Sequence, residues 1–173
     1  MKIFVFFLFV SASLFANSLK RVAYVDPQMF SGLWYEIART YNYYQKDCVA
    51  SSVEYKLDEQ KNYEVHNRCF ENVIGGDLVE YKGSAKSAFE NGNMAVMDMT
   101  YFWIFTQRYN VYYIDKNYKL AIVADDHFEN LWIMSRTPKI DKQTLNTLVA
   151  LVEEKVDGQK LIFTPQDEKG RYK

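Results

Sequence analysis

The sequence predicts an all-β protein: an eight-stranded antiparallel up-and-down barrel with one C-terminal α-helix packed outside and a short final strand. Three observations carry this. Apolar and aromatic residues alternate in eight successive segments, the period of a strand with one buried face. The links between those segments are short and rich in turn-forming residues, which joins neighbours antiparallel. A single stretch near the C-terminus changes to three- and four-residue spacing. The 173 residues, 49% hydrophobic and 17% aromatic, suffice for one domain with a sizeable core. Eight strands in one sheet lose their edges by closing into a barrel, whose interior is large enough for one small ligand.

The N-terminus comes first. Lys2 is followed by the apolar run Ile3 to Val10, then Ser11, Ala12, Ser13, Leu14, Phe15 and Ala16, with no acidic residue. This pattern reads as a secretory signal peptide over 1–16, cut after Ala16, with Ser13 as the second choice. The run is shorter than the roughly 20 apolar residues a membrane span needs; an uncleaved interfacial anchor is the alternative. Residues 17–173 then form the single domain. No cysteine stands near the cut, so a form without a lipid anchor is expected, in the periplasm, secreted or at the cell envelope.

The strands are expected at Trp34–Arg39, Val53–Leu57, Tyr63–Asn67, Leu78–Ser87, Met97–Tyr101, Tyr109–Tyr113, Lys119–Ala124 and Leu131–Ser135. Turn chemistry lies between them at 58–62, 75–77, 90–93 and 115–117. Over Asp141 to Val156, Leu145, Leu148, Val149, Val152 and Val156 share one face of a helix. Asp141 is its N-cap, Ile140 and Leu145 its hydrophobic staple, and Gly158 stands just past its end. Lys160–Phe163 returns to strand before Pro165.

The two cysteines, Cys48 and Cys69, belong to an exported chain, where disulfides persist. The residues between them read as two strands joined by a turn, which sets them opposite one another near the far ends of a hairpin. A disulfide is predicted, worth about 3 kcal/mol for a loop of that length; two buried free thiols are the alternative. His66 and His127 do not supply the spacing a cysteine-based metal site requires, and no metal or cofactor is expected. With 21 Lys and Arg against 22 Asp and Glu, the chain has no basic footprint for nucleic acid.

The motifs resemble a known family. Gly32-Leu33-Trp34-Tyr35-Glu36-Ile37-Ala38-Arg39 resembles the Gly-x-Trp motif of the lipocalins, in particular the group of bacterial Blc-like lipocalins and apolipoprotein D. Asp115-Lys116-Asn117-Tyr118 loosely resembles the second lipocalin motif, and Leu131 to Pro138 the third. The cysteine pair is similar to the first-hairpin disulfide of many Blc-like chains. The resemblance spans about 24–163 and implies a ligand cavity. Blc-like proteins are usually anchored through a lipid-bearing N-terminal cysteine, a pattern from which this chain departs.

Strand parity then assigns roles. Trp34 and Arg136 lie on strands that meet when the sheet closes, so the guanidinium can cover the indole, worth about 0.5 to 2 kcal/mol when desolvated. Gly32, Trp34 and Arg136 are expected to close the barrel bottom. Inward parity gives a candidate ligand-binding set: Ala38, Val53, Tyr55, Val65, Val79, Tyr81, Met97, Met99, Tyr101, Tyr109, Val111, Tyr113, Trp132 and Met134. A one-residue slip flips a whole strand. Leu120, Ile122, Leu131 and Ile133 face outward beneath the helix. An apolar lumen with several phenols suits a fatty acid or a lysophospholipid; a filled core without a cavity is the alternative.

Glu36 has inward parity near the closed end and is expected to be bonded to neighbouring backbone, a functional acid being the other reading. His66 reads as a solvated strand residue and Asp125-Asp126-His127 as a polar turn. Phe102, Trp103, Ile104 and Phe105 form an apolar tip between the fifth and sixth strands, either a surface for a membrane or partner or a lid over the mouth. No nucleophile elbow, zincin motif or phosphate loop is present. The expected function is therefore lipid carriage without catalysis, with a docking module and an enzyme on a hydrophobic substrate as the alternatives.

Overall fold

The computed structural model describes residues 19–156 and 160–167. The expected leader over 1–16 and the helix stop at Gly158 lie outside the described residues. A one-turn helix, α1 (Pro27–Phe30), precedes strands β1 (Gly32–Arg39), β2 (Cys48–Leu57), β3 (Tyr63–Glu71), β4 (Leu78–Ser87), β5 (Val96–Tyr101), β6 (Phe105–Ile114), β7 (Leu120–Ala124) and β8 (Leu131–Ser135). Helix α2 (Lys142–Val152) and strand β9 (Ile162–Phe163) follow. Strands β2 to β8 pair in sequence order, and β1 joins both β8 and β2, which closes the eight-stranded antiparallel barrel.

Closure is shared along one edge of β1. Gly32 to Tyr35 pair with β2, whereas Ala38 and Arg39 pair with β9. β2 leaves that edge because it bulges between Val49 and Ser52, where Ala50 takes a left-handed φ of 51°. The C-terminal segment fills the opening: Thr164 N donates to Ile37 O at 3.0 Å and Ala50 N to Pro165 O at 2.7 Å.

α2 begins where Asp141 caps it, accepting from Thr144 N at 2.9 Å. It ends at Val152, earlier than the apolar spacing suggests, and a turn carries Val156 back into the same buried cluster. The helix packs outside the barrel, where Leu148 and Val152 meet Ile37, Ala38, Ile122, Leu131 and Ile133. A second core fills the barrel's lower interior, around Trp34, Val65, Met97 and Val111.

Two bulges correct the expected lumen. β1 shifts register between Glu36 and Ala38, so Ala38 sits opposite Ile133 and buries itself under α2. β6 shifts between Val111 and Tyr113, so Tyr113 sits opposite Ile122 and packs on the helix side as well. A bulge adds one residue to one strand and reverses inside and outside beyond it. Both residues therefore leave the lumen.

α1 is a plug that strand periodicity does not reveal, although Asp26-Pro27 is a legible start. The Asp26 side chain accepts from Met29 N, and Pro27 occupies the first turn, where its missing N–H costs nothing. The helix places the fully buried Phe30 across the barrel's lower end.

Candidate functional site

The lower end is sealed by Arg136. Its guanidinium carbon lies 3.8 Å from the centre of the Trp34 ring. Nη1 donates to Leu33 O at 2.8 Å, Nη2 to Met29 O at 2.8 Å and Ser31 O at 2.7 Å, and Nε to Tyr118 O at 3.2 Å. Desolvation pulls the group down to about 10. Gly32, at φ +90°, belongs to the same seal: a Cβ there would stand 3.4 Å from Arg136 Nη1. Trp34 Nε1 donates to Phe30 O at 2.8 Å, tying the strand to the plug.

Above this seal lies a cavity of about 530 Å³, within the usual range for small-molecule sites. The filled-core alternative thus describes only the lower interior. Of the residues expected in the lumen, Val53, Tyr55, Tyr81, Met99, Tyr101, Tyr109, Trp132 and Met134 line the cavity. Val65, Met97 and Val111 point inward but are spent in the packed core beneath it. Val79 is half-buried opposite Cys69 and does not line the cavity. Cys48 and Cys69 form the disulfide, with Cα atoms 5.4 Å apart. They are diagonal rather than opposite, because Cys48 pairs with Glu71.

Several wall groups are polar. Asn67 Nδ2 donates to the Tyr101 hydroxyl at 2.8 Å. Tyr101 is held in place by Gly83 on the neighbouring strand, where a Cβ would stand 2.8 Å from the ring. Burial pushes the Tyr101 phenol up to about 12 and raises Tyr55 and Tyr109 as well. All three remain neutral donors at neutral pH.

Glu36 lines the same cavity, at mid-height rather than near the closed end, and its partners are side chains rather than neighbouring backbone. Thr164 Oγ1 donates to Oε1, Gln45 Nε2 donates to Oε2 at 2.7 Å, and Arg39 Nε lies 3.3 Å from Oε1. Burial still raises its pKa, with Thr164, Arg39 and Gln45 pulling the other way. Gln45 reaches in from the β1–β2 loop. Trp132 Nε1–H is a donor only and bonds Gln45 Oε1 at 3.0 Å, so the Gln45 amide must present its nitrogen to Glu36. Gln45 and Asn67 escaped the sequence reading because isolated amides have no periodic signature.

His66 is not solvated as expected. It is buried on the outer face of β3, with Nε2 2.7 Å from Glu64 Oε1 and Nδ1 3.0 Å from Glu80 Oε1. Long neighbouring side chains cover it. Hydrogen bonds from His66 first and Arg68 second hold the Glu80 carboxyl down to about 2. Asp125 is a turn organiser, accepting from the backbone N–H groups of His127, Glu129 and Asn130. Among the described residues, no group of three or more His, Cys, Asp or Glu is arranged to hold a metal.

Strand directions set the mouth at the loops β1–β2, β3–β4, β5–β6 and β7–β8. Three of these expose apolar residues: Tyr41, Tyr43 and Tyr44; Val73 and Ile74; and Phe102 to Phe105, with Trp103 96% exposed. Phe102, Ile104 and Phe105 also line the cavity, so the apolar tip is both rim and surface. Phe102 and Trp103 adopt left-handed φ values of 50° and 64°, a strained turn of the kind found at functional loops.

Comparison with known proteins agrees with this architecture. A lipocalin-like domain model matches residues 25–166. A putative lipocalin of Acanthamoeba polyphaga mimivirus is 36% identical over 136 residues, covering 74% of this chain and 76% of that protein. The outer membrane lipoprotein Blc of Vibrio cholerae is 28% identical over 154 residues, covering 87% and 88%. Among solved structures, insecticyanin from the tobacco hornworm Manduca sexta shares the fold with a TM-score of 0.70 at 20% identity, over 87% of this chain and 86% of that one.

Proposed function

The chain belongs to the lipocalin family, and from that premise we propose that it carries a single-chain amphipathic lipid, a fatty acid or lysophospholipid, without catalysing a reaction on it. The observation that carries this reading is the cavity itself: about 530 Å³ above a sealed floor, walled by Val53, Met99, Met134 and aromatic rings, and open at one end. Burial of an acyl chain there contributes about 25 cal/mol per Å² of apolar surface. Polar side chains at the upper wall, Asn42, Gln45 and Gln107, meet the head group at the mouth. Export to the periplasm or cell envelope is supported by the basic and apolar pattern of residues 1–16 and by a Vibrio relative that is by name an outer membrane lipoprotein.

The test is native mass spectrometry of the purified protein for a bound lipid, followed by titration of Trp fluorescence with fatty acid and lysophospholipid. Met99→Arg in a folded protein is expected to abolish binding. Tyr113→Arg, on the helix side, is expected to leave the affinity of any folded protein unchanged. A protein that takes up neither lipid overturns the reading.

The apolar rim favours a second reading, docking of the Phe102 to Phe105 loop on a membrane surface. Flotation with phospholipid vesicles, lost in Trp103→Ser, tests it.

A further inference from the structure

We infer that the floor of this cavity is a hydrogen-bonding subsite for an uncharged oxygen, a hydroxyl or a carbonyl, borne at the buried end of the ligand. The inference rests on reading the cavity as a lipid site and adds the chemistry of the end that enters first.

Tyr55 marks the floor. Its ring rests on the closed-end aromatics, 5.2 Å from Phe30 and 5.2 Å from Tyr63 between centroids. The Tyr63 hydroxyl is spent on Pro27 O at 2.6 Å. Among the described residues the hydroxyls of Tyr55 and Tyr109 have no hydrogen-bond partner. Tyr101 accepts from Asn67, which leaves its own hydrogen to give. The three phenols line one lumen and lie close enough that charge on Tyr101 or Tyr109 would raise Tyr55. Phenols that line a cavity and have hydrogens to give suit an acceptor carried in by the ligand, which would be bonded as an apolar chain end would not.

The acceptor is uncharged because the lumen has no cation to spare. Arg68 is the only basic residue among the described lining residues, and its guanidinium bonds Glu54 at 2.9 Å and Glu80 at 2.8 Å on the outer face. Arg39, behind the wall, is taken by Glu36 and by the carbonyls of Thr40 and Gln45. A carboxylate drawn to the floor would be desolvated without a cation to bond it, because Arg136, which Tyr55 feels from below, gives its nitrogens to the carbonyls of Leu33, Met29, Ser31 and Tyr118. A neutral oxygen loses much less and can accept from two phenol donors, one for each lone pair.

The experiment compares palmitic acid with ω-hydroxypalmitic acid, which differ only by a hydroxyl at the buried end, by displacement of a fluorescent lipid at neutral pH. A hydroxyl ordinarily weakens entry into an apolar pocket. Here ω-hydroxypalmitic acid is expected to bind about tenfold more tightly, the factor that one net hydrogen bond supplies. Tyr55→Phe with Tyr109→Phe should erase the preference, read as the ratio of the two acids' affinities within the same variant. Melting followed by circular dichroism checks the variant's fold, and the wild-type comparison stands without it. Equal or weaker binding of the hydroxy acid, with palmitic acid bound, overturns the subsite and leaves the carrier reading intact. Binding of neither acid overturns both.

Discussion

Arg136 spans the lower end of the barrel with its guanidinium carbon 3.8 Å from the centre of the Trp34 ring, while its nitrogens reach carbonyls of α1, β1 and the β6–β7 turn. One planar cation thus joins three separate segments. Lysine keeps the charge but not the planar fork. Arg136→Lys is expected to lower stability by about 2 kcal/mol through lost stacking and hydrogen bonds. Urea unfolding monitored by Trp fluorescence gives the value directly, and an unchanged midpoint would remove the seal from the account.

The outer core is separable from the cavity. Leu148 is buried between α2 and the outer faces of β7 and β8. Leu148→Ala should cost about 3 kcal/mol, typical of a leucine deleted from a packed site. Lipid affinity of the folded variant should stay within about twofold, because no atom of the lumen wall is removed. Thermal melts and titrations on one preparation read both quantities.

Glu36 gives stability a slope on pH. Its carboxyl is raised above the ordinary 4.5 by burial, so the folded state holds a proton that the unfolded chain has released. In that window the folded state binds more protons, and stability falls as pH rises from about 4.5 through the folded value, then levels off. Subtracting the urea stability of Glu36→Gln from that of the wild type, across about pH 4 to 8, should give a difference that declines with pH. A flat difference would show that the Thr164, Arg39 and Gln45 contacts fully offset burial.

Glu80 acts in the opposite sense at lower pH. Held down to about 2 by His66 and Arg68, it contributes stability that is present above the ordinary 4.5 and is lost as pH falls toward the folded value. The side chain is partly exposed, so salt mutes the effect. Acid unfolding of Glu80→Gln should show a shallower loss between about pH 5 and 2 than the wild type, and the two curves should converge at high salt.

The strands, the outer helix, the closure pair and the disulfide were legible because each is written in local pattern: alternation, helical spacing, or a motif with a fixed neighbour. Ala38 and Tyr113 were misassigned for the same reason. Parity extrapolates from one residue to the next, and neither Glu36-Ile37-Ala38 nor Val111-Tyr112-Tyr113 contains the glycine that often announces a bulge. The amide network around Glu36 depends on Gln45 and Thr164, and the latter lies 128 residues away in sequence. Contacts that distant leave no trace in hydropathy. His66 was misread because its cover is built from the side chains of charged neighbours, which sequence alone treats as water-facing.

The segment over 160–167 has a temporal meaning as well as a spatial one. Chains are made from the N-terminus, and all eight barrel strands precede this segment. Until it arrives, Ile37 O on the upper edge of β1 lacks Thr164 N, and Glu36 lacks its Thr164 partner. The nascent barrel is therefore unlatched throughout its synthesis. A fusion or deletion that displaces Thr164 would remove the partner of both Ile37 O and the Glu36 carboxyl at once.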